Sequence, residues 1–149
     1  MHTTLVKQLA LYVTMYSPLQ MAADLPENYE AHQDAFQFIK DVGVDWDDTK
    51  ILEAEPGDYI TIARKEKGKA NWFIGAITDE NSRQSLISLS FLDKGKKYAT
   101  IIYKDGKDAD WKTNPEAYTI EKRIVTSSST LKLNLAKGGG AAISLIPVR

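Results

Sequence analysis

The stretch that most limits the fold runs from Asp58 to Thr78. Asp58-Tyr59-Ile60-Thr61-Ile62-Ala63-Arg64 alternates with period two and puts Ile60 and Ile62 on one face, whereas Asn71-Trp72-Phe73-Ile74-Gly75-Ala76-Ile77-Thr78 is apolar on both faces. Alternation describes a strand with one wet side, and a doubly apolar run describes a strand in the middle of a packed sheet. Between them, Lys65-Glu66-Lys67-Gly68-Lys69-Ala70 supplies charge and a glycine where a hairpin needs a solvated bend. The two runs are expected to pair antiparallel. None of their side chains is chemically reactive.

The period changes at Val42-Gly43-Val44. Before it, Leu5, Leu9, Tyr12, Val13 and Tyr16 recur at helical spacing over Thr4 to Gln20, with Thr3 or Thr4 as N-cap and Pro18 as a stop or kink. Val6, Ala10, Leu11 and Met15 make the opposite side apolar too, so this helix is expected to be buried on most sides. A second, amphipathic helix is expected from about Glu27 to Lys40, with Phe36, Ile39 and Phe38 inward and His32 in its polar part. The chain therefore divides into a helical leader, residues 1–43, and a β domain, residues 44–149.

In the β part the expected strands are 49–55, 58–65, 71–78, 84–92, 97–104, 119–125, 130–135 and 141–148. They are punctuated by Pro56-Gly57, Asp79-Glu80-Asn81, Asp93-Lys94-Gly95, Asp105-Gly106 and Gly138-Gly139-Gly140. Leu131, Leu133 and Leu135 alternate with Lys132 and Asn134, as Ile87, Leu89 and Phe91 do with Ser88 and Ser90. Short strands at this spacing predict a mainly β fold, an eight-stranded antiparallel β-sandwich preceded by one or two α-helices.

Charge and composition exclude several functions. A net charge of −1 with both signs interspersed gives no field for nucleic acid or an anionic membrane surface. The apolar leader is too interrupted to span a bilayer, and nothing at the N-terminus reads as a signal peptide. With no cysteine there is no disulfide framework and no thiolate metal site, and the compartment stays open.

Two acidic clusters, Asp45-Trp46-Asp47-Asp48 and Asp105-Gly106-Lys107-Asp108-Ala109-Asp110, carry the oxygens a hard cation needs, but neither has EF-hand order and both read as solvated turns. Used as a catalytic carboxylate pair they would have to face each other across a cleft, with Asp47 and Asp108 as the residues to test. Of the three tryptophans, Trp72 reads as core; Trp46 and Trp111 lie in polar surroundings and are the candidates for stacking on a sugar. The triple glycine precedes a strand rather than a helix, so it reads as a hairpin turn and not as a phosphate cradle.

Several runs together resemble one family. These are Ser17-Pro18-Leu19-Gln20-Met21-Ala22-Ala23-Asp24-Leu25-Pro26, Val44-Asp45-Trp46-Asp47-Asp48-Thr49-Lys50, Gly57-Asp58-Tyr59, Ala63-Arg64 and Asn71-Trp72-Phe73-Ile74-Gly75. Phe91-Leu92-Asp93-Lys94-Gly95-Lys96-Lys97-Tyr98, Ile102-Tyr103-Lys104-Asp105-Gly106 and Gly138-Gly139-Gly140-Ala141-Ala142 follow in order. The chain is similar to the C-terminal end of glycoside hydrolase family 97, α-glucosidases and α-galactosidases of Bacteroidetes type.

The resemblance implies a C-terminal β-sandwich that supports a preceding (β/α)₈ barrel and oligomer assembly, with the helical leader as the end of that barrel and Asp24 near its substrate face. It implies that the catalytic carboxylates and the Ca²⁺ ligands of the family lie outside this region, so no catalytic or metal residue is assigned here. It also implies a periplasmic or otherwise extracytoplasmic setting for the parent enzyme. The expected partners are the catalytic barrel and a second copy bound through the apolar leader, with α-linked oligosaccharide as a further ligand. The alternative is a carbohydrate-binding module using Trp46 or Trp111.

Overall fold

The computed structural model describes residues 4–14, 34, 37–38, 41–42, 45–55, 58–79, 81–106, 110, 112 and 117–148. They form α1 (Leu5–Thr14) and eight strands: β1 (Trp46–Glu55), β2 (Tyr59–Glu66), β3 (Trp72–Thr78), β4 (Arg83–Ser88), β5 (Tyr98–Asp105), β6 (Tyr118–Val125), β7 (Thr130–Leu135) and β8 (Gly140–Pro147). All pairings are antiparallel. The division between sheets is unequal: a six-stranded sheet of order β1-β2-β3-β8-β5-β6 faces a two-stranded sheet of β4 and β7.

The expected hairpin is β2 and β3, in register from Tyr59 opposite Thr78 to Lys65 opposite Trp72. Strand β3 lies inside the large sheet with β8 on its other edge, which is why its sequence is apolar on both sides. The face toward β4 and β7 buries Trp72, Ile74, Tyr98, Ile102, Ile143 and Leu145 against Ile87, Leu89, Leu131, Leu133 and Leu135. The opposite face, carrying Phe73, Tyr103 and Ala142, is covered by Leu5, Val6, Leu9, Ala10 and Val13 of α1 and by Phe38 and Val42. The layers are therefore helix, large sheet and small sheet.

Helix α1 starts where the sequence allows, with Thr4 Oγ1 accepting the Lys7 amide at 3.1 Å as N-cap. It sits unusually low on the sheet. A Cβ placed on Gly75 would lie 2.5 Å from the Ala10 carbonyl oxygen and 2.9 Å from the Val13 Cβ. One on Gly140 would lie 3.0 Å from the Lys7 Cα. Glycine at these two points lets the helix backbone approach the sheet closely enough to bury Val6, Leu9, Ala10 and Val13 completely. Of the apolar side chains of α1, Leu5, Val6, Leu9, Ala10 and Val13 are buried within the chain, and Leu11 is half-buried.

Of the second helical stretch, Asp34, Gln37, Phe38 and Asp41 are described and are helical, and the Val42 amide donates to the Phe38 carbonyl at 2.8 Å. Phe38 is fully buried and meets Phe73 and Tyr103 edge to face, at centroid distances of 6.1 and 5.5 Å. Phe36 and Ile39 lie outside the described residues, as do His32, Pro18 and the Pro56-Gly57 turn. No helix of the described residues is long and apolar enough to cross a membrane.

Candidate functional site

Trp46 opens β1 and is half-buried. Its ring meets Phe73 edge to face at 6.0 Å, the Arg64 guanidinium stands 6.0 Å from its centroid, and its indole nitrogen is buried with no acceptor. The ring therefore packs against the helix-side core. Trp111 and Asp24, the other two candidates for sugar contact, lie outside the described residues. Trp72 is a core residue, 4.8 Å from the Phe91 ring.

The first acidic cluster is used for local structure. The Asp47 carboxylate accepts the Gly68 amide at 2.9 Å, which fastens the start of β1 to the β2–β3 turn, and Lys67 stands 3.5 Å from Asp45. Gly68 takes φ +75° there. Among the described residues no three His, Cys, Asp or Glu side chains gather as a metal site would require.

Asp105 behaves unlike the turn residue its sequence suggests. It ends β5 with only 7% of its surface exposed. Its Oδ2 accepts the amides of Ala136 and Gly140, each at 2.9 Å, and Oδ1 is buried as well. Burial pushes its carboxyl above the ordinary value; the Thr4 side chain, the two amides and the Lys7 charge oppose that rise. Burial also holds the Lys7 ammonium below its ordinary value, although Asp79 and Asp105 favour its charge, and its Nζ donates to the Thr78 carbonyl at 2.7 Å.

The triple glycine is built around this carboxylate. A Cβ on Gly139 would lie 2.0 Å from Asp105 Oδ2, and Gly138 takes φ +63°. The turn also bonds both neighbours: the Thr4 amide donates to the Gly138 carbonyl at 3.0 Å and the Thr78 amide to the Gly139 carbonyl at 3.0 Å. One buried carboxylate thus joins β5, the β7–β8 turn and the start of α1. The signal for it in the sequence was the run of three glycines, which a simple hairpin does not need.

On the other side of the large sheet, Arg83 of β4 lies 3.2 Å above the Tyr59 ring centroid and 3.2 Å from Glu53 Oε2, tying the small sheet to β1 and β2. Among the clefts of the described residues, two open ones stand out. One of about 400 Å³ lies between α1 and the β1–β2 end, lined by Lys7, Glu55, Asp58, Tyr59, Ile77 and Asp79. The other, about 580 Å³, lies beside Lys104, Asp105, Asn134 and Lys137. Among the described residues neither brings together an acid, a base and a nucleophile in mutual hydrogen-bonding reach.

The fold is an unequal sandwich closed by a helix, with Asp105 and Arg83 at the joints between its layers. The comparisons give its family. The family profile described as "Glycosyl-hydrolase 97 C-terminal, oligomerisation" matches residues 45–146, and the chain belongs to that family. A retaining α-galactosidase of Bacteroides thetaiotaomicron is 37% identical over 142 residues, 95% of this chain and 21% of that protein. A glycoside hydrolase family 97 enzyme of Pseudoalteromonas, solved in complex with acarbose, superposes with a TM-score of 0.97 at 54% identity, covering 99% of this chain and 23% of that one. A variant of it in complex with panose gives the same figures. The chain thus spans about a fifth of the length of the relatives it matches.

Proposed function

We propose that this domain acts in a family 97 α-glycosidase as the module that supports the catalytic barrel and holds copies of the enzyme together, with α-linked glycans cleaved by residues outside this chain. The observation that carries the reading is the match of 95% of the chain to 21% of a retaining α-galactosidase, together with the oligomerisation description of the family profile. The construction supports it, since buried charge and close glycine contacts are placed at the joints between layers rather than in a cleft. On this reading the Ca²⁺ that the resemblance implies binds outside this region, and the catalytic barrel is the partner.

Two measurements on the purified chain test this. Its mass in solution by light scattering over a range of concentrations should exceed that of one chain, and it should not turn over aryl α-galactosides or aryl α-glucosides. A chain that stays monomeric throughout would overturn the assembly role. Hydrolysis lost on Asp47→Ala would place the chemistry in this domain instead.

A further inference from the structure

The described surface has few large exposed apolar side chains, and three of them fall together. Ile124 is 56% exposed, Val148 47% and Ile146 36%. Registers make the first and last of these neighbours through one small residue: Ile124 pairs with Ala99 on β5, and Ala99 pairs with Ile146 on β8. Val148 continues the row, its amide bonded to the Lys97 carbonyl at 2.8 Å.

The side chains share a face. Ile120, Ile101 and Ala142 pack into the helix-side core, and alternation along each strand puts Ile124, Ala99 and Ile146 on that same side, beyond the area that α1 covers. Ile51 and Leu86 are equally exposed but stand apart, on β1 at the opposite edge and on β4 of the small sheet. Isolated exposed residues are ordinary on a protein surface, whereas a row of apolar side chains at one end of a sheet, rimmed here by the exposed Lys97 and Lys122 of the same face, marks a contact.

We propose that the row Ile124–Ala99–Ile146–Val148 is the apolar centre of the interface between two copies of this domain, an inference that rests on the assembly role above. The description of the family by oligomerisation favours a second copy as the occupant.

The contact is face to face. Lys122 and Arg123 are exposed on the edge strand β6, and charges on an edge oppose the addition of another strand there. A two-fold axis through the row would let each copy cover the other's isoleucines.

The test uses the intact chain in sedimentation velocity, comparing wild type with Ile124→Glu, Ile146→Glu and the control Leu86→Glu. All three positions are exposed in the single chain, so circular dichroism should show each variant folded. Ile124→Glu and Ile146→Glu should each weaken self-association roughly a hundredfold, because each substitution is met twice across the axis, and Leu86→Glu should leave it unchanged. A wild-type chain that never associates defeats the assembly role itself. A wild-type oligomer that survives both isoleucine variants, or that Leu86→Glu disrupts instead, overturns this interface and leaves the assembly role standing.

Discussion

Asp105 and Gly140 are thirty-five residues apart and are joined by a buried hydrogen bond of 2.9 Å from the Gly140 amide to the Asp105 carboxylate. The same oxygen holds Ala136, so one side chain fixes both ends of the β7–β8 turn. Asp105→Ala would leave two amides without their acceptor, at about 1–3 kcal/mol for each one buried. We expect a loss of about 2–4 kcal/mol in urea unfolding. Asp105→Asn keeps an oxygen for both amides and should cost far less; equal losses for the two variants would show that the hydrogen bonds are not what matters.

The same carboxylate should leave a signature in the pH dependence. Burial raises its folded pKa above the ordinary 3.8, so between those two values the folded chain binds more protons than the unfolded one. Its contribution to stability is then complete below about pH 3.8 and is lost as the pH rises through the folded pKa. Asparagine has no such term, and the other acids are common to both chains. The wild type should therefore lose ground to Asp105→Asn as pH increases across this window and run parallel to it above. A wild type that gains instead would mean that Lys7 and the amides outweigh burial.

Gly75 tests the docking of α1. An added Cβ meets the Ala10 carbonyl at 2.5 Å, and backbone cannot swing aside as a side-chain tip can. Gly75→Ala should therefore lift the helix and cost about 1–3 kcal/mol as overpacking does. Limited proteolysis should then cut first within residues 4–14, with the sheet registers unaffected by hydrogen exchange. Gly68→Ala offers a contrast, because nothing lies within 4 Å and the strain comes only from its φ of +75°.

These joints also show where sequence was a sufficient guide. Period and turn chemistry found all eight strands within a few residues, because burial of Leu131, Leu133 and Leu135 or of Ile74 is written locally in alternation. The split into six and two strands was not local: nothing in β4 distinguishes it from an edge of the large sheet until β8 has taken the place beside β3. The low seat of α1 depended on glycines distant in sequence, so the surface that buries the leader was not legible. Asp105 read as a turn for the same reason, since its two amide donors lie more than thirty residues away. Trp46 stood among aspartates in sequence, while its actual neighbours, Phe73 and Arg64, came from other strands.

The tie between the sheets should be specific to arginine. Arg83 covers the Tyr59 ring and reaches Glu53 at once, a combination that needs a flat guanidinium with several donors. Arg83→Lys keeps the charge but loses the stack, and we expect a loss of about 1–2 kcal/mol. In a double-mutant cycle with Tyr59→Leu the coupling should be of similar size. Additive losses would show that the stack contributes nothing beyond its packing.

The environment of Trp46 separates packing from recognition. Its ring lies against Phe73, with Arg64 above it, so removing it opens the helix-side core at the edge where β1 begins. A half-buried tryptophan loses less than a fully buried one, for which truncation costs about 3–5 kcal/mol; we expect Trp46→Ala to cost about 2 kcal/mol. Trp46→Phe should recover part of that by keeping an edge-to-face contact with Phe73. Affinity electrophoresis in soluble α-glucan gives the independent readout. Migration of the wild type should be unretarded and unchanged by either substitution, and retardation that disappears in Trp46→Phe while stability holds would make the ring a sugar platform.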